Sequence, residues 1–156
     1  MIMRRITFAF LSLCLLCACS KESSVELVSV TDTGCAREEV ATRGGTLGES
    51  LLILEYSHAG LVVTRTNVEL NCSIKTGGVS CNVSCEGGDI YCEVFETEGK
   101  SLRCTCPVKS VTATVAGLQL GHEYTIYFTC GDSFIPISFT YSEDLNMVLD
   151  AGLYMR

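Results

Sequence analysis

Positive charge is scarce in this chain: eleven Lys and Arg stand against eighteen Asp and Glu. No basic cluster occurs, so nucleic acid and anionic lipid headgroups are poor partners, because phosphate binding depends on clustered Lys and Arg. Histidine is rarer still. His58 and His122 are the only two, and no G-x-S-x-G is present, so nucleophilic catalysis by a Ser or Cys held against a base has little to work with. Beyond residue 18 there is no C-x-x-C of the kind that opens a thioredoxin-type redox helix. The D-x-D-x-D-G run of a calcium loop is missing too. Two prolines give no Pro-rich linker, and no second zone of composition appears, so one domain is expected. Long apolar runs are limited to one. Ile6 to Leu16 is almost uninterrupted, yet shorter than the roughly twenty residues a bilayer core requires.

That run follows Arg4 and Arg5 and turns abruptly polar at Ser20, the layout of a secretory signal rather than part of the fold. The residues Leu16-Cys17-Ala18-Cys19 resemble the bacterial lipobox: an apolar residue, a tolerant position, a small residue, then cysteine. The resemblance implies cleavage after Ala18, a diacylglycerol on the Cys19 thiol and acylation of the new amine. Cys17 departs from the commoner Ala, Ser or Thr. Two or three acyl chains hold a protein at a membrane, where one chain holds it only marginally. Ser20 is not the Asp that retains enterobacterial lipoproteins at the inner membrane, so the resemblance favours the outer membrane. The expected organisation is a signal over residues 1–18, a lipidated cysteine and polar tether over 19–24, and a domain over 25–156. Arg4 and Arg5 leave with the signal, so nine basic side chains remain against eighteen acids, a net charge of about −9.

Cysteine is the abundant residue, with eleven. Cys14 and Cys17 go with the signal and Cys19 takes lipid. Cys35, Cys72, Cys81, Cys85, Cys92, Cys104, Cys106 and Cys130 remain. An even number in an exported chain predicts a disulfide framework, with 105 possible pairings. A bridge such as Cys72–Cys104 would contribute about 3–4 kcal/mol in the chain-entropy account. Alternate residues of a strand share a face, and seven of the eight cysteines fall in phase with apolar neighbours, so core-facing bridges are expected. The rival chemistry is metal. Cys81, Cys85, Cys104 and Cys106 would make a thiolate set for zinc or copper(I), although C-x-C is an unusual zinc spacing and neither histidine lies nearby. No cofactor is expected.

From Val25 onward the apolar pattern has period two, the strand signal. Strands are expected over 25–31, 51–56, 61–72, 79–85, 90–96, 111–115, 124–130 and 135–141. A short one over 102–106 is stopped by Pro107, and a turn or two of helix follows Ser142 over 144–151. Residues 34–49 read as a loop carrying Cys35. Glu86-Gly-Gly-Asp89 reads as a hairpin turn that sets Val83 opposite Cys92, with Cys81 and Cys85 as diagonal neighbours.

The stretch "VTATVAGLQLGHEYTIYF", residues 111–128, resembles the E–F corner of fibronectin type III and related Ig-like domains. It implies an all-β, antiparallel β-sandwich with Tyr124 as the tyrosine corner, hydroxyl on backbone and ring in the core; the cysteine framework is expected to staple that sandwich. The absent tryptophan counts against a true antibody-type domain. Gly34-Cys35, Asn71-Cys72 and Cys104-Thr105-Cys106 together look like a group of small, cysteine-rich envelope lipoproteins of Bacteroidales-type bacteria. That resemblance implies an Ig-like sandwich on a lipid anchor and supplies no catalytic residue.

Two further clusters bear on function. Glu93, Glu96 and Glu98 flank the Glu86–Asp89 turn; a glycosidase pair is conceivable, but a solvated strand face accounts for them more simply. Tyr91 and Phe95 have the opposite parity to Cys92. If exposed, they are the first candidates for a binding patch. The sequence therefore leads to a non-enzymatic envelope lipoprotein, anchored by lipid, that presents a surface to a protein or glycan. The alternative is a thiolate metal-binding lipoprotein. An envelope hydrolase ranks third.

Overall fold

The computed structural model describes residues 24–35, 48–71, 75–97, 105–131 and 133–154. The signal, Cys19, Cys72, Cys104 and most of the 34–49 loop lie outside the described residues.

Among the described residues nine strands form: β1 (Glu26–Asp32), β2 (Leu51–Ser57), β3 (Gly60–Asn71), β4 (Val79–Glu86), β5 (Asp89–Glu96), β6 (Thr105–Ala116), β7 (Glu123–Cys130), β8 (Ser133–Thr140) and β9 (Asn146–Asp150). One sheet has the order β1-β6-β3-β2-β9 and the other β4-β5-β7-β8. Their inner faces pack as a sandwich, the predicted fold class. The core is built from period-two positions of both sheets, including Leu52, Leu54, Leu61, Val63, Val111 and Ala113 from the first and Ile90, Ile126, Phe128, Ile135 and Ile137 from the second. Burying each large aliphatic or aromatic side chain contributes about 1.5–3 kcal/mol, so this alternation is the main determinant of register.

Every described strand pairing is antiparallel except one. β5 runs parallel to β7, with Tyr91 beside Tyr127 and Cys92 beside Phe128. Parallel neighbours need a crossover between them. Here β6 serves, crossing the sandwich in the opposite sheet.

Two local expectations are corrected. The short strand ending at Pro107 and the strand over 111–115 are one continuous β6 of twelve residues. Pro107 sits opposite Glu69 of β3, while β1 flanks β6 only over Val111 to Ala116. At residue 107 the strand is thus close to a sheet edge, where a missing N–H is tolerated. The helix expected after Ser142 is replaced by a turn, the edge strand β9 and one 3₁₀ turn, Ala151–Tyr154. The Leu145 amide bonds the Ser142 carbonyl at 3.0 Å, closing a turn instead of starting a helix. Met147 and Leu149 then alternate with exposed Asn146, Val148 and Asp150, and β9 pairs with β2.

One covalent tie braces the first sheet and one polar tie joins the two sheets. Cys35 and Cys106 form a disulfide, with Cα atoms 5.8 Å apart and a sequence separation of 71. In the chain-entropy account a loop of that size is worth about 4 kcal/mol. Asp32, buried at the end of β1, accepts bonds from the Gly34 amide at 2.8 Å and from the Val79 amide at 3.3 Å. Val79 opens β4, so one carboxylate links the two sheets.

Candidate functional site

The outer face of the β4-β5-β7-β8 sheet is laid out by register alone. Cross-strand partners place Glu86, Asp89, Thr125 and Ser138 in one row. The next row is Ser84, Tyr91, Tyr127 and Pro136, and the next is Asn82, Glu93, Thr129 and Phe134. Ser80 and Phe95 follow. None of these positions carries Lys or Arg. Carboxylates stand on either side of the aromatic row.

The aromatic row is ordered by contact. The rings of Tyr91 and Tyr127 stack with centroids 5.0 Å apart and planes 11° from parallel. Tyr127 meets Phe134 at 6.0 Å. Tyr91 is 43% exposed and Phe95 40%, so the parity that put them opposite Cys92 delivers them to the surface. Stacked aromatic pairs are worth about 0.5–1.5 kcal/mol beyond their area, which holds the rings in place before any partner arrives. The Tyr91 hydroxyl is pushed above its ordinary value, by desolvation first and then by Asp89, Tyr127 and Glu86. It therefore stays protonated and able to donate at neutral pH.

Beside the first row the surface dips into a depression of about 340 Å³, bordered by Gly88, Asp89, Glu123, Thr125, Ser138 and Thr140. Thr125 Oγ1 and Ser138 Oγ share a hydrogen bond of 3.1 Å. Gly87 and Gly88, both at positive φ, make the tight β4–β5 turn at its rim, where glycine adopts the left-handed region without steric cost.

The predicted corner residue lies close by. The Tyr124 hydroxyl accepts a hydrogen bond from the Gln119 amide at 3.0 Å, and its ring lies 6.1 Å from that of Phe139. This bond fixes the chain where it leaves β6 and enters β7.

The cysteines face inward. Cys81, Cys92, Cys106 and Cys130 are buried, and Cys85 and Cys35 are partly so. Cys106 is bonded to Cys35, so the set Cys81, Cys85, Cys104 and Cys106 is not available together as thiolates. Among the described residues no group of three or more His, Cys, Asp or Glu is placed to hold a metal ion. Burial pushes the Cys130 thiol up to about 12, with Arg65 acting the other way. Cys92 is also pushed up, chiefly by its hydrogen bond with Cys81 and then by burial. These thiols keep their protons, the wrong state for ligands or nucleophiles. His58 and His122 both lie exposed in turns; His58 sets its ring edge against Tyr56 at 5.9 Å.

Sequence reasoning missed two buried charged groups, Asp32 and Arg65. Arg65, 1% exposed, has the inward parity of Leu61 and Val63. Its Nη1 donates to Ser50 Oγ and to the Thr66 carbonyl at 2.9 Å, while its Nε has no partner among the described residues. The parity rule already applied to the cysteines was the signal that would have found it.

The fold and the outer face define a β-sandwich with an aromatic, acidic platform. Comparison with protein families, with curated proteins and with solved structures returned no match.

Proposed function

We propose that this chain is a lipid-anchored envelope lipoprotein whose β4-β5-β7-β8 face binds a neutral glycan. One observation carries the reading: a stacked tyrosine row, Tyr91–Tyr127, flanked by carboxylates and hydroxyls and free of Lys and Arg on an outer sheet face. Aromatic rings receive the apolar C–H faces of sugars. Carboxylates and hydroxyls accept and donate to the sugar hydroxyls around them. A polyanion is repelled by Glu86, Asp89, Glu93 and Glu123. A protein partner fits less well, since the centre of a protein interface is depleted in charge, and here acids are interleaved with the rings. The anchor rests on the lipobox-like Leu16-Cys17-Ala18-Cys19 and puts the protein at the cell envelope, with the outer membrane favoured by Ser20.

The test uses immobilised neutral hexaoses of glucose, xylose and mannose, with the wild-type chain and the Tyr91→Ala/Phe95→Ser variant. The variant loses the Tyr91–Tyr127 stack, worth about 0.5–1.5 kcal/mol, so urea unfolding is used to establish that it is folded under the binding conditions. Binding to at least one hexaose is expected, weakened about tenfold in the variant, which corresponds to about 1.4 kcal/mol. Equal affinity of the two proteins, or binding to no hexaose, would contradict the reading. Acyl mass on a chain beginning at Cys19, after extraction from membranes, tests the anchor separately; an unacylated chain would reject it.

A further inference from the structure

The β4–β5 hairpin carries three cysteines, and two of them are already in contact. The Gly87–Gly88 turn sets Val83 opposite Cys92, which leaves Cys81 on one diagonal and Cys85 on the other. In a flat ladder the two diagonals are equivalent. The right-handed twist of paired strands closes one and opens the other. Here the closed diagonal is Cys81–Cys92, with Sγ atoms 3.2 Å apart. Both side chains are buried, at 8% and 1% exposure. A disulfide needs sulfurs at about 2.05 Å, so closing this pair takes a further approach of about 1.2 Å from the 3.2 Å contact. The Cys35–Cys106 bond belongs to the same molecule, so the folded chain is an oxidised one.

We propose that Cys81 and Cys92 are a second disulfide site, closed by a disulfide-bearing oxidant of the thiol-oxidoreductase or glutathione type. One cysteine, as thiolate, attacks the oxidant disulfide and releases one of its sulfurs as a thiol. The second cysteine then attacks the protein-side sulfur of the mixed disulfide and releases the other. Two S–H bonds are lost and one S–S bond forms. The two electrons and two protons end on the oxidant's two thiols. Attack requires access and a thiolate, and the finished core offers Cys92 neither. Exchange therefore takes place before the facing sheet covers the hairpin, and the bond is a permanent staple instead of a switch. It ties β5 to the edge strand β4 from the inside, directly between Tyr91 and Glu93 on the outer face. The inference stands whatever that face binds.

The experiment is peptide mapping of the full chain exported to a bacterial periplasm. Thiols are blocked with N-ethylmaleimide in denaturant without reduction, and the chain is cut after Glu at acidic pH. Cleavage at Glu86 separates Cys81 and Cys85 from Cys92. The Cys72→Ser/Cys85→Ser variant is mapped in parallel, because the fragment ending at Glu86 also carries Cys72, so that a link to Cys92 reports Cys81 alone. The expected result is a cross-linked fragment pair in both proteins, absent after reduction, in molecules that also carry Cys35–Cys106. Maleimide on both Cys81 and Cys92 overturns the proposal. So does Cys92 linked to Cys85, or to any cysteine outside the hairpin.

Discussion

At the residue scale, the decisive rule is parity. A side chain's face follows from whether its number is even or odd within its strand. That rule set Tyr91 and Phe95 on the face opposite Cys81 and Cys92 and left open whether a loop covers them; the structure exposes both rings, and the glycine turn gave the Val83–Cys92 register. What parity does not give is which diagonal the twist closes. It also does not say how a buried charge is satisfied, and Arg65 went unnoticed because its neighbours in sequence, Thr64 and Thr66, read as an ordinary polar face. Tyr124 offers a clean test at this scale. Tyr124→Phe keeps the ring against Phe139 and removes the acceptor of the Gln119 amide. A net hydrogen bond is worth about 1 kcal/mol. Urea unfolding should show a loss of about that size with unchanged slope. No loss would mean the bond is not a brace.

At the element scale, strands were legible where apolar alternation continued for five or more residues. The miss at β6 came from weighing Pro107 by its type. What matters is the neighbour it lacks: with β1 absent on one side, its missing N–H costs little. The miss at β9 came from length. Five residues, Asn146–Asp150, are too few to separate helix from strand by period, and the open edge of β2 decides the matter. The β2–β3 hairpin shows sequence and packing agreeing. Gly60 sits at φ 137°, and a Cβ there would collide with the Val115 carbonyl of β6. Gly60→Ala should therefore destabilise by about 1–3 kcal/mol, read as a lower urea midpoint. A neutral outcome would show that β3 can slide away from β6.

At the scale of the molecule, composition pointed to an acidic, cysteine-rich domain and strand spacing to a sandwich, while the residue pattern offered Tyr91 and Phe95 but not their partner Tyr127. The platform exists only once β5 and β7 lie side by side, a parallel pairing that brings Tyr91 and Tyr127 together from 36 residues apart. Burial also sets a pH dependence. Cys130 is pushed from 9.0 to about 12, and Tyr141 is raised from 10.0 by burial and by Tyr56. The folded chain keeps protons that the unfolded chain releases, so stability is full below about pH 9 and falls as pH rises towards 12. Urea midpoints at pH 7, 9 and 10.5 should decline in that order. A flat profile would show that these groups titrate alike in both states.

The measurement closest to the central claim is a titration of the ¹⁵N-labelled chain with the hexaose it binds best, followed by amide shifts. The account predicts changes clustered on β5, β7 and β8, around Tyr91, Glu93, Tyr127 and Phe134, with the outer face of the β1-β6-β3-β2-β9 sheet undisturbed. Changes centred on that opposite sheet, or none with any neutral glycan, would contradict it.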